Sequence, residues 1–289
     1  MTATSTYETT PFLTARPLVP LDPNVREALT VTRVVVFAII VSLIWKLSYF
    51  IQAARIYRLV PFEDAFFPYL LQSTFVSSAA YMIALASLML MLVARSPIWL
   101  VAASCLAVFG LGILCIHQQA YNDVTFLTCW WSTLWCLWMY TRIGEAVDSL
   151  LPRAAFLTHL ILSVIFLGGA VGKMTPGYWS GEVLYEIYFS GRDYWVFNLL
   201  RDQFDEAALR NISCWYSRLV TSTELLCAFL WLMPRRLASW LAIAVLLNIA
   251  LMSNTFLFSV LTCLLGLALV GLHTPKTKTD RSPFGERPV

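Results

Sequence analysis

Residues 167–181 read LGGAVGKMTPGYWSG, and this stretch predicts the point where a membrane-spanning helix meets the membrane surface. It completes a run of nineteen uncharged residues, 154–172, which is long enough to cross the hydrocarbon core as a helix. Lys173 ends that run, Pro176 stops the helix soon afterwards, and a tyrosine and a tryptophan follow that suit the headgroup region. The stretch therefore predicts a cation at a membrane boundary, which is also what a lysine reaching outward to water would give.

The composition excludes an ordinary soluble domain. Hydrophobic residues make up 59% of the 289 residues and charged residues only 13%. The net charge of +3 comes from scattered cations, so we expect no nucleic-acid partner. The seven cysteines lie in or beside apolar runs without metal-ligand spacing, so we expect neither a metal site nor a disulfide framework.

The pattern of apolar runs predicts an all-α polytopic membrane protein, a bundle of about eight transmembrane helices with an amphipathic extracytoplasmic cap. Residues 237–272 form two short spans if the chain turns near Ser253 and Asn254, and otherwise one span and a tail. The other predicted spans are residues 30–54, 74–94, 98–116, 124–140, 154–173 and 212–233.

The domain prediction follows from these runs. Residues 1–29 are a polar, mostly disordered lead-in, residues 30–272 are one transmembrane domain, and residues 273–289 are a disordered tail. Residues 174–211 are too charged to span and too apolar to float free, so they form the cap as two amphipathic pieces, 181–189 and 194–209.

The short loops predict the orientation of the bundle. With eight spans, the cationic loops and the basic tail share one side, which the positive-inside rule assigns to the cytoplasm. Both termini are then cytoplasmic, and Lys173 and the cap face outward, as we expect for a bacterial inner-membrane protein. The loop cations are Arg95, Arg142, Arg153, Arg235 and Arg236.

Glu224 is the clearest ionisable residue predicted inside a span. Such a group costs roughly 2.5–3.5 kcal/mol on insertion scales, so it needs a partner or a function. Arg218 lies six residues earlier, about 240° around a helix, and the two do not face each other. A structural pair with Arg33, Lys46 or another donor and a proton-handling role both remain open.

Residues 169–174, Trp179 and Gly181 resemble the signature of the HTTM (horizontally transferred transmembrane) family, distantly similar to the membrane domain of vitamin K-dependent gamma-carboxylase. That signature is a helix ending in small residues, then Gly-x-x-Lys, then a Trp and a Gly. The resemblance implies that Lys173 is the base in a carboxylase- or oxidoreductase-like reaction. The family also has a Glu in the helix corresponding to that of Glu224.

A second similarity lies in residues 121–127, which resemble the family's aromatic-Asn-Asn-His segment at a helix start. Asn122 fits that pattern. Val124 stands where the carboxylase has a histidine, and Asn248 stands where many members have another, so carboxylation itself is not implied.

Two histidines are weaker candidates for proton transfer, although imidazole titrates in a useful range. His159 lies fourteen residues before Lys173, about 21 Å along a helix, too far for both to act on one small substrate. His117 is placed near the outer boundary.

Three functions follow. The first is an enzyme acting on a quinone-like or lipid molecule, cofactor or substrate, with Lys173 and Glu224 as catalytic residues and Asn122, Asp123, Arg218 and Trp179 as binding residues. The second is a non-catalytic maturation or interaction factor for a secreted peptide or protein, since the membrane protein that matures the sporulation-delay toxin belongs to the HTTM family. A transporter is disfavoured, because no inverted repeat is visible.

Overall fold

The computed structural model of the protein describes residues 23–59, 66–121, 123–190, 195–252 and 257–273, and all regular structure within these ranges is helical. The helices are α1 (Pro23–Leu59), α2 (Tyr69–Gln72), α3 (Thr74–Val93), α4 (Pro97–Ile116), α5 (Val124–Thr141), α6 (Val147–Lys173), α7 (Pro176–Trp179), α8 (Glu182–Tyr188), α9 (Trp195–Arg201), α10 (Glu206–Cys227), α11 (Arg235–Met252) and α12 (Phe258–Val270).

Five of these helices, α1, α3, α4, α6 and α11, are long and apolar enough to cross a membrane. The all-α, multi-pass membrane class predicted from the sequence is therefore confirmed. The other long helices differ in length or polarity: α12 is apolar but has only 13 residues, α5 is rich in tryptophan and threonine, and α10 carries both acidic and basic side chains.

The helix bounds differ from the prediction at α10 by six residues at each end. We predicted a span over residues 212–233, but the helix begins at Glu206 and ends at Cys227. The Asp205 side chain caps it by accepting a hydrogen bond from the Ala208 N–H at 2.9 Å, so the helix starts before the apolar run does. Glu224 consequently lies in the last turn of α10 and not in the middle of a span.

The bounds of other helices also differ from the prediction. α1 begins at Pro23 and extends to Leu59, well beyond the predicted 30–54. The region 237–272 contains two helices, α11 and α12, as one of the two alternatives predicted. The proposed turn at Ser253 and Asn254, the lead-in up to residue 22 and the tail from residue 274 lie outside the described residues.

Buried contacts fix which helix ends lie together. Thr125 at the start of α5 bonds Ser259 at the start of α12, with 3.0 Å between the hydroxyl oxygens. His159, well before the end of α6, bonds Ser239 near the start of α11, with 2.9 Å between Nε2 and Oγ. A Cβ atom at Gly271, just after α12, would lie 2.7 Å from Nε2 of His159. The end of α12 therefore lies beside the start of α11 and the middle of α6, and the starts of α5 and α12 lie at the same end of the bundle as the ends of α6 and α11. We call this the cap end, because α7, α8 and α9 follow α6.

The residues between α6 and α10 pack closely on α10. Gly181 has a φ of 84°, in the left-handed region, and a side chain there would overlap the backbone of Cys214. Phe189 of the cap, Phe197 of α9 and Leu209 of α10 form a separate small buried cluster. The predicted cap segments correspond to α8 and α9, while residues 206–209 belong to α10.

Candidate functional site

Lys173 and Glu224 form an ion pair between the last residue of α6 and the last turn of α10. The Lys173 Nζ lies 2.8 Å from Oε1 and 2.7 Å from Oε2 of Glu224, so both carboxylate oxygens accept a hydrogen bond. The side chains are 27% and 9% exposed, respectively. The structure thus brings together the two residues that the sequence nominated as catalytic.

The lysine side chain turns back along its own helix. Its Nζ also lies 3.5 Å from the carbonyl oxygen of Gly169, one turn earlier, as expected for side chains that point towards the helix N-terminus. Gly169 leaves room for the pair, because a Cβ atom there would lie 3.1 Å from Oε2 of Glu224. Gly168 and Gly172 face open space, so only one of the three glycines in this stretch allows a close approach.

This geometry identifies the donor that pairs with Glu224, and both a structural pair and a proton-handling role are compatible with it. The Lys173 ammonium faces α10, and only 27% of the side chain is exposed. Glu224 pairs with neither Arg33 nor Lys46. Arg33 donates to the Ala94 carbonyl, and Lys46 pairs with the carboxylate of Asp123. The pair has the composition of a proton-exchanging unit, an amine and a carboxylate in direct contact.

Tyr178 in α7 lies beside the pair. The Lys173 Nζ is 5.9 Å from the centroid of the tyrosine ring, and the Ser217 hydroxyl on α10 donates to the Tyr178 carbonyl. Burial, followed by the charge of Glu224, raises the pKa of the Tyr178 phenol, which therefore stays protonated at neutral pH. From the sequence, Tyr178 is predicted only to lie in the headgroup region, and nothing in the sequence indicates a functional role for it.

Arg218 and Trp179 form a second, more exposed contact on α10, six residues before Glu224. The guanidinium carbon of Arg218 lies 5.7 Å from the ring centroids of both Trp179 and Trp215, and Nε donates to the Trp179 carbonyl at 3.4 Å. Trp215 is 66% exposed. These two predicted binding residues therefore contact each other but are not partners of the Lys173–Glu224 pair.

Asp123 belongs to a different ion pair at the cap end. Its Oδ2 lies 2.8 Å from the Nζ of Lys46 on α1, and its Oδ1 accepts the Thr125 N–H and so caps α5. The Lys46 and Asp123 side chains are only 9% and 17% exposed. Asn122, the neighbouring predicted binding residue, lies outside the described residues.

Lys46 lines a cavity of about 510 Å³ on the α1 and α12 side of the bundle, together with Tyr49 and Ser259. The ammonium lies 4.0 Å from the centroid of the Tyr49 ring. The sequence did not assign Lys46 a functional role, although its predicted position inside a span was the signal that could have done so.

A smaller cavity of about 260 Å³ lies between α10 and α11, and Glu224 and Asn248 both line it. In the sequence, Asn248 is notable only because it occupies a position where many members of the HTTM family have a histidine. Its placement beside Glu224 could not be read from the sequence, because the two residues belong to different helices.

The histidines serve as structural hydrogen-bonding groups. His117 is buried, its Nε2 donates to the Ser73 carbonyl at 2.9 Å, and its Nδ1 accepts the Gln119 N–H at 3.2 Å. Burial lowers the pKa of His117, with the Ser73 bond acting in the opposite direction. Within the described ranges, no three His, Cys, Asp or Glu side chains are grouped closely enough to hold a metal ion.

Comparison with models of protein families, with curated proteins and with solved structures finds no match to this chain.

Proposed function

We propose that this chain is an HTTM-like integral membrane enzyme that acts on a quinone- or lipid-like molecule, with the Lys173–Glu224 pair as its base. The observation that carries the proposal is the pair itself: an amine and a carboxylate in contact at two helix ends, beside a cavity and largely shielded from solvent. Such a pair costs several kcal/mol per ion to bury, which a functional role would justify.

The proposed topology has eight spans, in which α5, residues 212–233 and α12 cross the membrane in addition to the five apolar helices. The 174–211 segment is the cap on the outer face of a bacterial inner membrane, and both termini are cytoplasmic. The supporting observation is charge: the loops opposite the cap end carry Arg95, Arg142, Arg235 and Arg236. The pair then opens to the extracytoplasmic side.

The proposed chemistry is the removal of one proton from the bound molecule. The resting pair is either ammonium with carboxylate or, after one proton has crossed between Nζ and Oε2, amine with carboxylic acid. In the second form Lys173 is the base. This second form reacts: the substrate proton passes to Oε1 of Glu224 as the Oε2 proton passes to the Lys173 amine. The pair becomes ammonium with carboxylic acid, while the substrate keeps the electron pair and becomes an anion.

The remaining predicted residues have supporting roles in this proposal. Arg218, with Trp179, supplies a cation and an aromatic surface for a headgroup near the outer membrane boundary. Asp123 stabilises the start of α5 and the buried Lys46, and Asn122 follows the family pattern. These residues bind or position the molecule, and only the pair exchanges protons with it.

The test compares wild-type protein with Lys173→Arg, Lys173→Ala and Glu224→Gln, each purified in lipid nanodiscs and examined by native mass spectrometry. We expect wild type and Lys173→Arg to retain the same small amphiphile, and the other two variants to retain about tenfold less. Host membranes should deplete that molecule with wild type but not with Lys173→Arg, because arginine does not deprotonate. Undiminished retention and depletion in all variants would refute the proposal.

A maturation or interaction factor is the alternative function, and the exposed Trp215 and Trp179 beside Arg218 favour it. Tryptophan and arginine are enriched in the anchoring positions of protein interfaces. For this function, the same purification should yield a stoichiometric peptide or protein, and Trp215→Ala should release it while Lys173→Arg retains it.

A further inference from the structure

The cavity between α10 and α11 opens sideways through the helix surface. Its α10 wall includes Leu219, which is 62% exposed, and its α11 wall includes Ala244 and Asn248, which are also exposed. α11 is one of the helices apolar enough to cross a membrane. Exposed positions on such a helix face lipid, so the bilayer has direct access to the cavity.

Asn248 is a polar group without a partner at this opening. Its side-chain amide has no hydrogen bond within the described part of the chain. An amide facing hydrocarbon without a hydrogen bond is costly, at about 1–3 kcal/mol on the scale of protein mutations. A molecule that hydrogen-bonds Asn248 from inside the cavity would remove that cost.

Glu224 presents unused acceptor capacity to the same cavity. Each carboxylate oxygen accepts one hydrogen bond from Lys173, and each has room for a second. Lys173 does not line the cavity, so its charge lies behind the carboxylate as seen from the opening. An anionic headgroup would meet the carboxylate first, whereas an uncharged hydroxyl could donate to it.

We propose that the gap between α10 and α11 is a lateral opening through which an amphiphile with an uncharged hydroxyl head reaches Glu224 directly from the bilayer. The hydroxyl donates to Glu224 and accepts from the Asn248 amide, and the apolar chain lies against Leu219 and Ala244. This inference rests on the proposed function, and it adds the headgroup class, the route of access and Glu224 as the first group contacted.

The size of the cavity fits this assignment. Its 260 Å³ lies just below the range of about 300–1,000 Å³ that is usual for small-molecule pockets. The space therefore suits a headgroup and the first part of a chain, with the rest of the chain left in the lipid between the helices.

The test is photolabelling in nanodiscs with palmityl alcohol that carries a diazirine near its hydroxyl end, compared with the matching diazirine palmitate. We expect the alcohol to label α10 and α11 about tenfold more than the palmitate, as for one hydrogen bond to a charged group. Unlabelled palmityl alcohol should compete. Equal labelling by the two probes, or labelling spread evenly over other helices, would overturn the proposal.

The variants locate the site. Ala244→Phe fills the cavity and should reduce labelling about tenfold, whereas the matched control Ala250→Phe, on an exposed position of the same helix outside the cavity, should not. Asn248→Leu removes the polar partner without adding bulk and should act in the same direction if Ala244→Phe does not fold. Unchanged labelling in folded Ala244→Phe or Asn248→Leu would also overturn the proposal.

This experiment needs no turnover, so its outcome is separable from that of the proposed enzyme. Labelling at α10 and α11 with no effect of Lys173→Arg on depletion would refute only the enzyme. Retention of a molecule that depends on Lys173, without labelling of these helices, would refute only the lateral opening.

Discussion

The Nζ of Lys173 lies within 2.8 Å of both carboxylate oxygens of Glu224, although 51 positions separate the two residues in the chain. The contact joins the end of α6 to the end of α10 across the whole cap segment. The pair therefore links the two helices that precede and follow residues 174–205.

Removing the two members of the pair separately should destabilise the protein more, in sum, than removing both together. Glu224→Gln or Lys173→Met leaves one shielded charge unpaired, and we expect each to cost about 3 kcal/mol, the low end for buried pairs because Lys173 is 27% exposed. Thermal unfolding in detergent measures the effect.

The double variant Lys173→Met/Glu224→Gln is the control for this prediction. It should be more stable than the sum of the single changes implies, with a coupling of about 0.5–3 kcal/mol. Strictly additive losses would show that the two charges do not stabilise each other.

Gly181 should be intolerant of any side chain. Gly181→Ala places a Cβ against the Cys214 backbone at a left-handed residue, and we expect a loss of at least about 1–3 kcal/mol and faster proteolysis of the cap. Gly172→Ala is the matched control, because nothing lies near it, and helix propensity should give a gain of about 0.5–1 kcal/mol. Equal effects of the two substitutions would contradict the tight contact.

The two roles of Asp123 should separate by substitution. Asp123→Asn keeps an oxygen for the Thr125 N–H but loses the ion pair with Lys46, whereas Asp123→Ala loses both. Asp123→Ala should therefore be less stable by about 1 kcal/mol, the usual contribution of an N-cap. Identical unfolding midpoints of Asp123→Asn and Asp123→Ala would mean that the N-cap of α5 contributes nothing to stability.

His117 should make stability depend on pH. Its folded pKa is lowered below the ordinary value of 6.5, so the unfolded chain binds the proton more tightly and stability falls as the pH drops through and below 6.5. The unfolding midpoint should decrease between pH 7.5 and 5.5, and His117→Gln should reduce that slope. An unchanged slope in His117→Gln would show that this histidine does not contribute to it.

The fold class and the helix end at Lys173 could be predicted because hydrophobic length and the breaker Pro176 are local signals. The predicted start at residue 212 was wrong for α10. The apolar pattern places a span only where charged residues end, whereas Asp205 caps the helix earlier, inside a charged segment. Local capping geometry competes with hydrophobicity wherever a helix extends beyond an apolar run.

The candidate site was predictable as residues but not as contacts. Lys173 and Glu224 were each conspicuous as ionisable groups near or inside apolar runs, yet their pairing depends on how α6 and α10 pack. Asn248 and Tyr178 carried no such signal, because an amide or a phenol becomes informative only when its neighbours are known.

The exposed glycines near the end of α6 are suitable positions for a spin label. Gly168 and Gly172 are exposed, and no side chain lies within 4 Å of where a Cβ atom would stand at either of them, while Gly169 between them faces the carboxylate. A spin label attached to a cysteine at either position would leave the ion pair undisturbed. Its accessibility to dissolved oxygen and to a water-soluble relaxation agent would then measure how deep in the bilayer the ammonium lies.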